Sequence, residues 1–166
     1  MLLPPLTLPL LNATGLFLAN SSSNAPFQNP VYCYEQRPAG QLQRFPALSV
    51  DCFTIGIRMV KRIHHADLPI KWSHDSSKGS KVPRKFFWKT CVLEIDLPPG
   101  QGGAWEASFA DIALTANEID APCVHDGLHL GGLSKIGDES MLDIYLYGRE
   151  WDPSDPPNIG TGTATS

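Results

Sequence analysis

The chain contains no C-x-x-C pair: Cys33, Cys52, Cys91 and Cys123 stand far apart in its 166 residues. That spacing argues against a zinc ribbon or a thioredoxin-like redox motif, and an even count suits two disulfides. Charged side chains are scarce, 18% of the sequence, and none occurs in the first nineteen residues. A long unbroken apolar run is missing too. Pro4, Pro5 and Pro9 interrupt the N-terminal one, so no stable membrane anchor is expected. The C-terminal "WDPSDPPNIGTGTATS" is not hydrophobic, and no lipid-anchor signal of the GPI type is expected there.

What is present points to secretion. "MLLPPLTLPLLNATGLFLANSSSNAP" is an apolar stretch followed by small residues, the grammar of a signal peptide, and residues 1–25 are assigned to a signal peptide and leader. Two glycosylation sequons fall at Asn12 and Asn20; Asn12 would leave with the signal, so Asn20 is the candidate site. Fifteen prolines and fourteen glycines imply a packed part shorter than the chain. A single domain is expected over residues 30–150, with a disordered tail over 151–166.

Within that domain "NPVYCYEQ" reads as a short edge strand. "SVDCFTIGIRMVKRI" reads as a helix with Ser49 as N-cap, Asp51 in its first turn, and Val50, Phe53, Ile57 and Val60 as its core face. Gly56 inside it suggests a close neighbour. Residues 64–86 show no periodicity and read as a long polar loop. In "FFWKTCVLEIDLPPG", Cys91, Leu93, Ile95 and Leu97 point one way and Val92, Glu94 and Asp96 the other, a strand. "SFADIALTANEIDAP" is a helix with apolar Phe109, Ile112, Ala113, Ala116 and Ile119, and with Ser108 and Asp111 forming a capping box. A terminal hairpin follows, with Leu142, Ile144 and Leu146 alternating against Asp143, Tyr145 and Tyr147. The expected fold is α+β: a small, mainly antiparallel sheet with two helices packed on one face, in the order β-α-β-α-β-β. A helix returning antiparallel over its strand brings Cys123 to Cys91, and Cys33 and Cys52 flank the first connection. Cys33–Cys52 and Cys91–Cys123 are therefore the preferred pairs of the three pairings allowed.

The net charge of −4 conceals an asymmetry. Residues 58–89 hold nine bases against two acids, whereas residues 90–166 hold thirteen acids against two bases. Opposite charges meeting across the fold are the plainer explanation; a basic loop docking on an acidic surface is the sharper one. Binding residues on that second view are Lys78, Lys81, Arg84 and Lys85, with Trp72 placed to stack on sugar. The other tryptophans, Trp88, Trp105 and Trp151, are weaker candidates. No nucleic-acid partner is expected.

"DAPCVHDGLHLGG", residues 120–132, gathers Asp120, Cys123, His125, Asp126 and His129, all possible metal ligands. Pro122 and Gly127 argue against the helix that the His125/His129 spacing would need, and further ligands would have to come from His64, His65, His74 or Asp75. A disulfide corner without metal or other cofactor is the expectation. Glu94 and Asp96 form a carboxylate pair that fits the solvent side of a sheet. His74-Asp75 beside Ser73 and Ser76 lacks a nucleophile elbow, and "GQGG" at 100–103 lacks the lysine of a phosphate loop. No catalytic residue stands out.

The succession "VYCY", "VDC" opening a helix, "FWKTCVLEIDL", "SFADIALTANEI" and "HLGG…KIG…LDIYLYG" resembles small secreted fungal four-cysteine proteins over Val31 to Gly148. More loosely it is similar to necrosis-inducing effector and killer-toxin-like α/β-sandwich proteins. The resemblance implies a secreted, disulfide-stabilised interaction protein, effector- or toxin-like, that binds an extracellular protein, glycan or acidic surface; it carries over no catalytic residues. Rival readings are a small secreted hydrolase using a carboxylate with a histidine, and a carbohydrate-binding module using Trp72 and the 64–86 loop.

Overall fold

The computed structural model describes residues 29–35, 45–127, 130–137, 141–150 and 153. The leader with Asn12 and Asn20, His129, Trp151 and nearly all of the tail lie outside the described residues.

Among the described residues eight strands and two helices follow one another: β1 (Tyr32–Cys33), α1 (Ser49–Arg62), β2 (Pro69–Ser73), β3 (Ser80–Lys81), β4 (Arg84–Trp88), β5 (Cys91–Asp96), β6 (Trp105–Ser108), α2 (Phe109–Asp120), β7 (Gly131–Ile136) and β8 (Leu142–Gly148). A π-helical turn, Ala121–His125, extends α2, with Pro122 tolerated because it falls in the turn's first positions. The class is α+β. A five-stranded antiparallel sheet runs β1-β7-β8-β5-β4, and a separate three-stranded sheet runs β3-β2-β6. The expected order lacked β2, β3, β4 and β6. The stretch expected as a loop over 64–86 contains β2, β3 and the start of β4, because β2 finds its partner in β6, more than thirty residues away, where no local periodicity reveals it.

Both helices lie on one face of the larger sheet, α1 over β4 and β5 and α2 over β7 and β8. Alternation decides what they cover. Leu93 and Ile95 of β5 and Leu142, Ile144 and Leu146 of β8 point into the core, where Ile112 and Ile119 of α2 meet them. The Ser108–Asp111 capping box forms as expected, the Ser108 hydroxyl accepting from the Asp111 amide at 3.0 Å.

The helix α1 is rolled away from its expected orientation. Cys52, Ile55, Gly56 and Met59 are buried, and Val50, Phe53, Ile57 and Val60 face outward. Ser49 does not cap the helix; its hydroxyl donates to Asp120 Oδ2 of α2 at 2.6 Å. Asp51 keeps its first-turn place and accepts from the Thr90 hydroxyl at 2.6 Å. A Cβ on Gly56 would lie 3.7 Å from that of Ala113, so the helices cross there.

The disulfides are Cys33–Cys123 and Cys52–Cys91, not the pairs preferred from the sequence. The layout of the helices explains the correction. Cys91 begins β5 beneath α1, while α2 ends over β7, whose neighbour is β1. Cys123 therefore reaches Cys33, passing Gly132, where an added Cβ would come within 2.9 Å of Cys123 Sγ and 2.7 Å of the Tyr32 carbonyl.

Candidate functional site

Opposite the helices, the outer face of the five-stranded sheet carries the polar half of each alternation. Register places Tyr32 of β1 beside Leu133 of β7, Leu133 beside Tyr145 of β8, Tyr145 beside Glu94 of β5, and Glu94 beside Lys85 of β4. A parallel row sets Tyr147 against Val92 and Val92 against Phe87; another sets Lys135 against Asp143 and Asp143 against Asp96. Aromatic, carboxylate and lysine side chains thus share one surface.

The same local unit occurs twice on it. Tyr147 donates its hydroxyl to Glu94 Oε2 at 2.7 Å, and Lys85 Nζ lies 3.2 Å from that oxygen. Tyr145 donates to Asp143 Oδ2 at 3.2 Å, and Lys135 Nζ lies 3.0 Å from Oδ1. Each hydroxyl is held in place by a carboxylate that a lysine neutralises. Burial, with Asp143 next, pushes the Tyr145 phenol up to about 12. Burial, with the bond to Glu94 next, does the same to Tyr147. Both therefore stay protonated donors at any physiological pH. Lys85 is pushed up, chiefly by its hydrogen bond with Tyr147, and stays charged. At the rim His74 Nδ1 stands 4.0 Å from Asp96 Oδ1.

The residues singled out from the sequence are not gathered into one surface. Trp72 is fully buried: its indole N–H donates to the Ala107 carbonyl at 3.1 Å and its ring meets Phe109 edge-on at 5.4 Å. It packs and cannot stack on a sugar. Lys78 lies 3.8 Å from Asp75, and Lys71 lies 4.0 Å from Glu106. Half-buried Arg84 lies over the rings of Phe86 and Phe109. Lys81 is exposed, and Lys85 belongs to the sheet face. Of these bases, Lys71 and Lys85 reach acids of the acidic half, Glu106 and Glu94, whereas Lys78 pairs within its own segment. Exposed His125 lies 3.8 Å from Asp126, and among the described residues no group of three His, Cys, Asp or Glu side chains is placed to hold a metal ion.

The tyrosine row is half visible in the sequence. The alternation in "LDIYLYG" sends both tyrosines outward, but Tyr32, Lys85 and Glu94 join them only through pairings across the sheet. No described helix is long and apolar enough to cross a membrane. No family model matches the chain, and neither a curated protein nor a solved structure matches it significantly.

Proposed function

We propose that the chain is a secreted, non-enzymatic binding protein, effector- or toxin-like as its resemblance to small secreted fungal four-cysteine proteins implies. It lays the outer face of its five-stranded sheet on an extracellular glycan. The observation that carries this reading is the cross-strand row Tyr32–Leu133–Tyr145–Glu94–Lys85. Aromatic rings offer flat apolar area with a polar edge, suited to stacking on sugar rings. The flanking carboxylates and lysines supply acceptors and donors for hydroxyls. They nearly cancel in charge, which suits a neutral polymer better than a polyanion. Two closed disulfides suit an oxidising extracellular setting.

The test is retention of the protein on cellulose, chitin and β-glucan, with Tyr32→Ala and Lys85→Ala as variants. Tyr32 is 57% exposed, so its truncation leaves the core intact. Retention on one of these polymers, weakened about tenfold by Tyr32→Ala and insensitive to salt, is expected. Absence of retention on all of them, or retention that neither variant changes, contradicts the reading.

A second reading, a small secreted hydrolase, is favoured by His74 standing beside Asp96. Release of reducing ends from the same polymers, abolished by His74→Ala or Asp96→Asn, would replace the first reading with this one.

A further inference from the structure

Six large apolar side chains are exposed together on the helical layer: Leu48 just before α1, Val50, Phe53, Ile57 and Val60 along it, and Leu114 of α2, each between 37% and 67% exposed. Leu114 adjoins Ala113, the residue that meets Gly56, so it flanks the α1 stripe. A concentration of this kind on one face marks a surface that is covered in use. The spacing of the stripe suits a second copy of this chain as the cover. Steps of three, four and three residues from Val50 to Val60 are those of a coiled-coil seam, and they read the same in either direction.

We propose that two copies of this chain pair through α1, antiparallel, about a two-fold axis at the level of Ile55. That axis sets Val50 of each copy against Val60 of the other, and Phe53 against Ile57. A two-fold interface requires such self-complementarity. The charges follow the same symmetry. Exposed Lys61 and Arg62 stand at the end of α1, and exposed Glu118 stands on α2 beside the start of α1, where Ser49 binds Asp120. Antiparallel pairing carries the bases of one copy toward Glu118 of the other, and keeps like charges at opposite ends.

The stripe offers on the order of 500 Å² of apolar surface per copy, below the roughly 800 Å² of a standard interface, so a weak, concentration-dependent association is expected. The outer sheet faces lie opposite the helices and would both stay free. Whatever ligand that face takes, a dimer presents it twice, with the gain of avidity.

The test is sedimentation equilibrium of the full disulfide-bonded chain over a wide concentration range, with Phe53→Glu and Ile57→Lys as variants. Both positions face solvent in the single chain, and near-ultraviolet circular dichroism checks that each variant keeps its fold. The wild type is expected to pass from monomer to dimer, and each variant alone to associate at least about tenfold more weakly. Mixing the two variants is expected to restore a dimer. The carboxylate introduced by Phe53→Glu in one copy meets the ammonium introduced by Ile57→Lys in the other only in the antiparallel register. A wild type that stays monomeric, a dimer that either variant leaves intact, or a mixture that fails to associate overturns the proposal. So does a monomer that floats with phosphatidylglycerol vesicles through these residues.

Discussion

Cys52 and Cys91 tie the first turn of α1 to the first residue of β5, and this bond sets which face of the helix is buried. Cys52 is 3% exposed, whereas its neighbour Phe53 is 49% exposed. Asp51, beside Cys52, holds Thr90, beside Cys91, so two successive residues of the helix grip two successive residues of the sheet. Both faces of α1 carry apolar residues, and the cross-link with the adjacent part-buried hydrogen bond fastens the one that carries Cys52 to the sheet.

Replacing both Cys52 and Cys91 with alanine is therefore expected to cost about 2–4 kcal/mol, read from denaturant unfolding without reductant. No loss of stability would mean that packing alone holds α1 in its roll.

Asp120 sits 8% exposed at the end of α2, and burial raises its carboxyl above the ordinary 3.8, opposed by the hydrogen bond from Ser49. Above the ordinary value the folded state holds the proton more tightly than the unfolded chain. Stability attributable to this group is thus full below about pH 4 and falls as pH rises through the folded value. Asp120→Asn keeps an acceptor for Ser49 and removes the titration. Urea midpoints measured against pH should then be flatter in the acid range and higher at neutral pH than those of the wild type. A variant less stable at pH 7 would contradict this.

Tyr145 and Tyr147 should ionise late, near pH 12, in an alkaline titration followed by phenolate absorbance. Unfolded tyrosines release their protons near pH 10, so stability should fall as pH rises from about 10 to about 12. Tyr145→Phe and Tyr147→Phe should each remove one late-titrating group. Full ionisation near pH 10 with the fold intact would show that neither phenol is held as described.

Much of the larger sheet is legible in the sequence. The capping box of α2, the apolar stripe from Phe109 to Ile119, and the alternations of β5 and β8 are local patterns, and local patterns survive into the fold. The rest depends on partners distant in the chain. β2 is five residues long and β3 two, too short for a period to show, and β2 has its antiparallel partner in β6. Trp72 reads as an exposed loop residue because nothing nearby in the sequence reveals that Phe109 and Ala107 enclose it. The disulfide pairing escapes the sequence because the spacing of cysteines does not say which helix lies over which strand. The outward tyrosines can be read from β8 alone, whereas the row they form with Tyr32, Glu94 and Lys85 is a property of register.

The most direct test of a secreted, doubly cross-linked binding protein is peptide mapping without reduction, after thiol alkylation, on material recovered from the medium of a secreting host. The expected result is a chain shortened by about its first twenty residues, no alkylated cysteine, and linked peptides joining Cys33 to Cys123 and Cys52 to Cys91. A full-length chain retained in the cells with four alkylated thiols would contradict both the compartment and the cross-links.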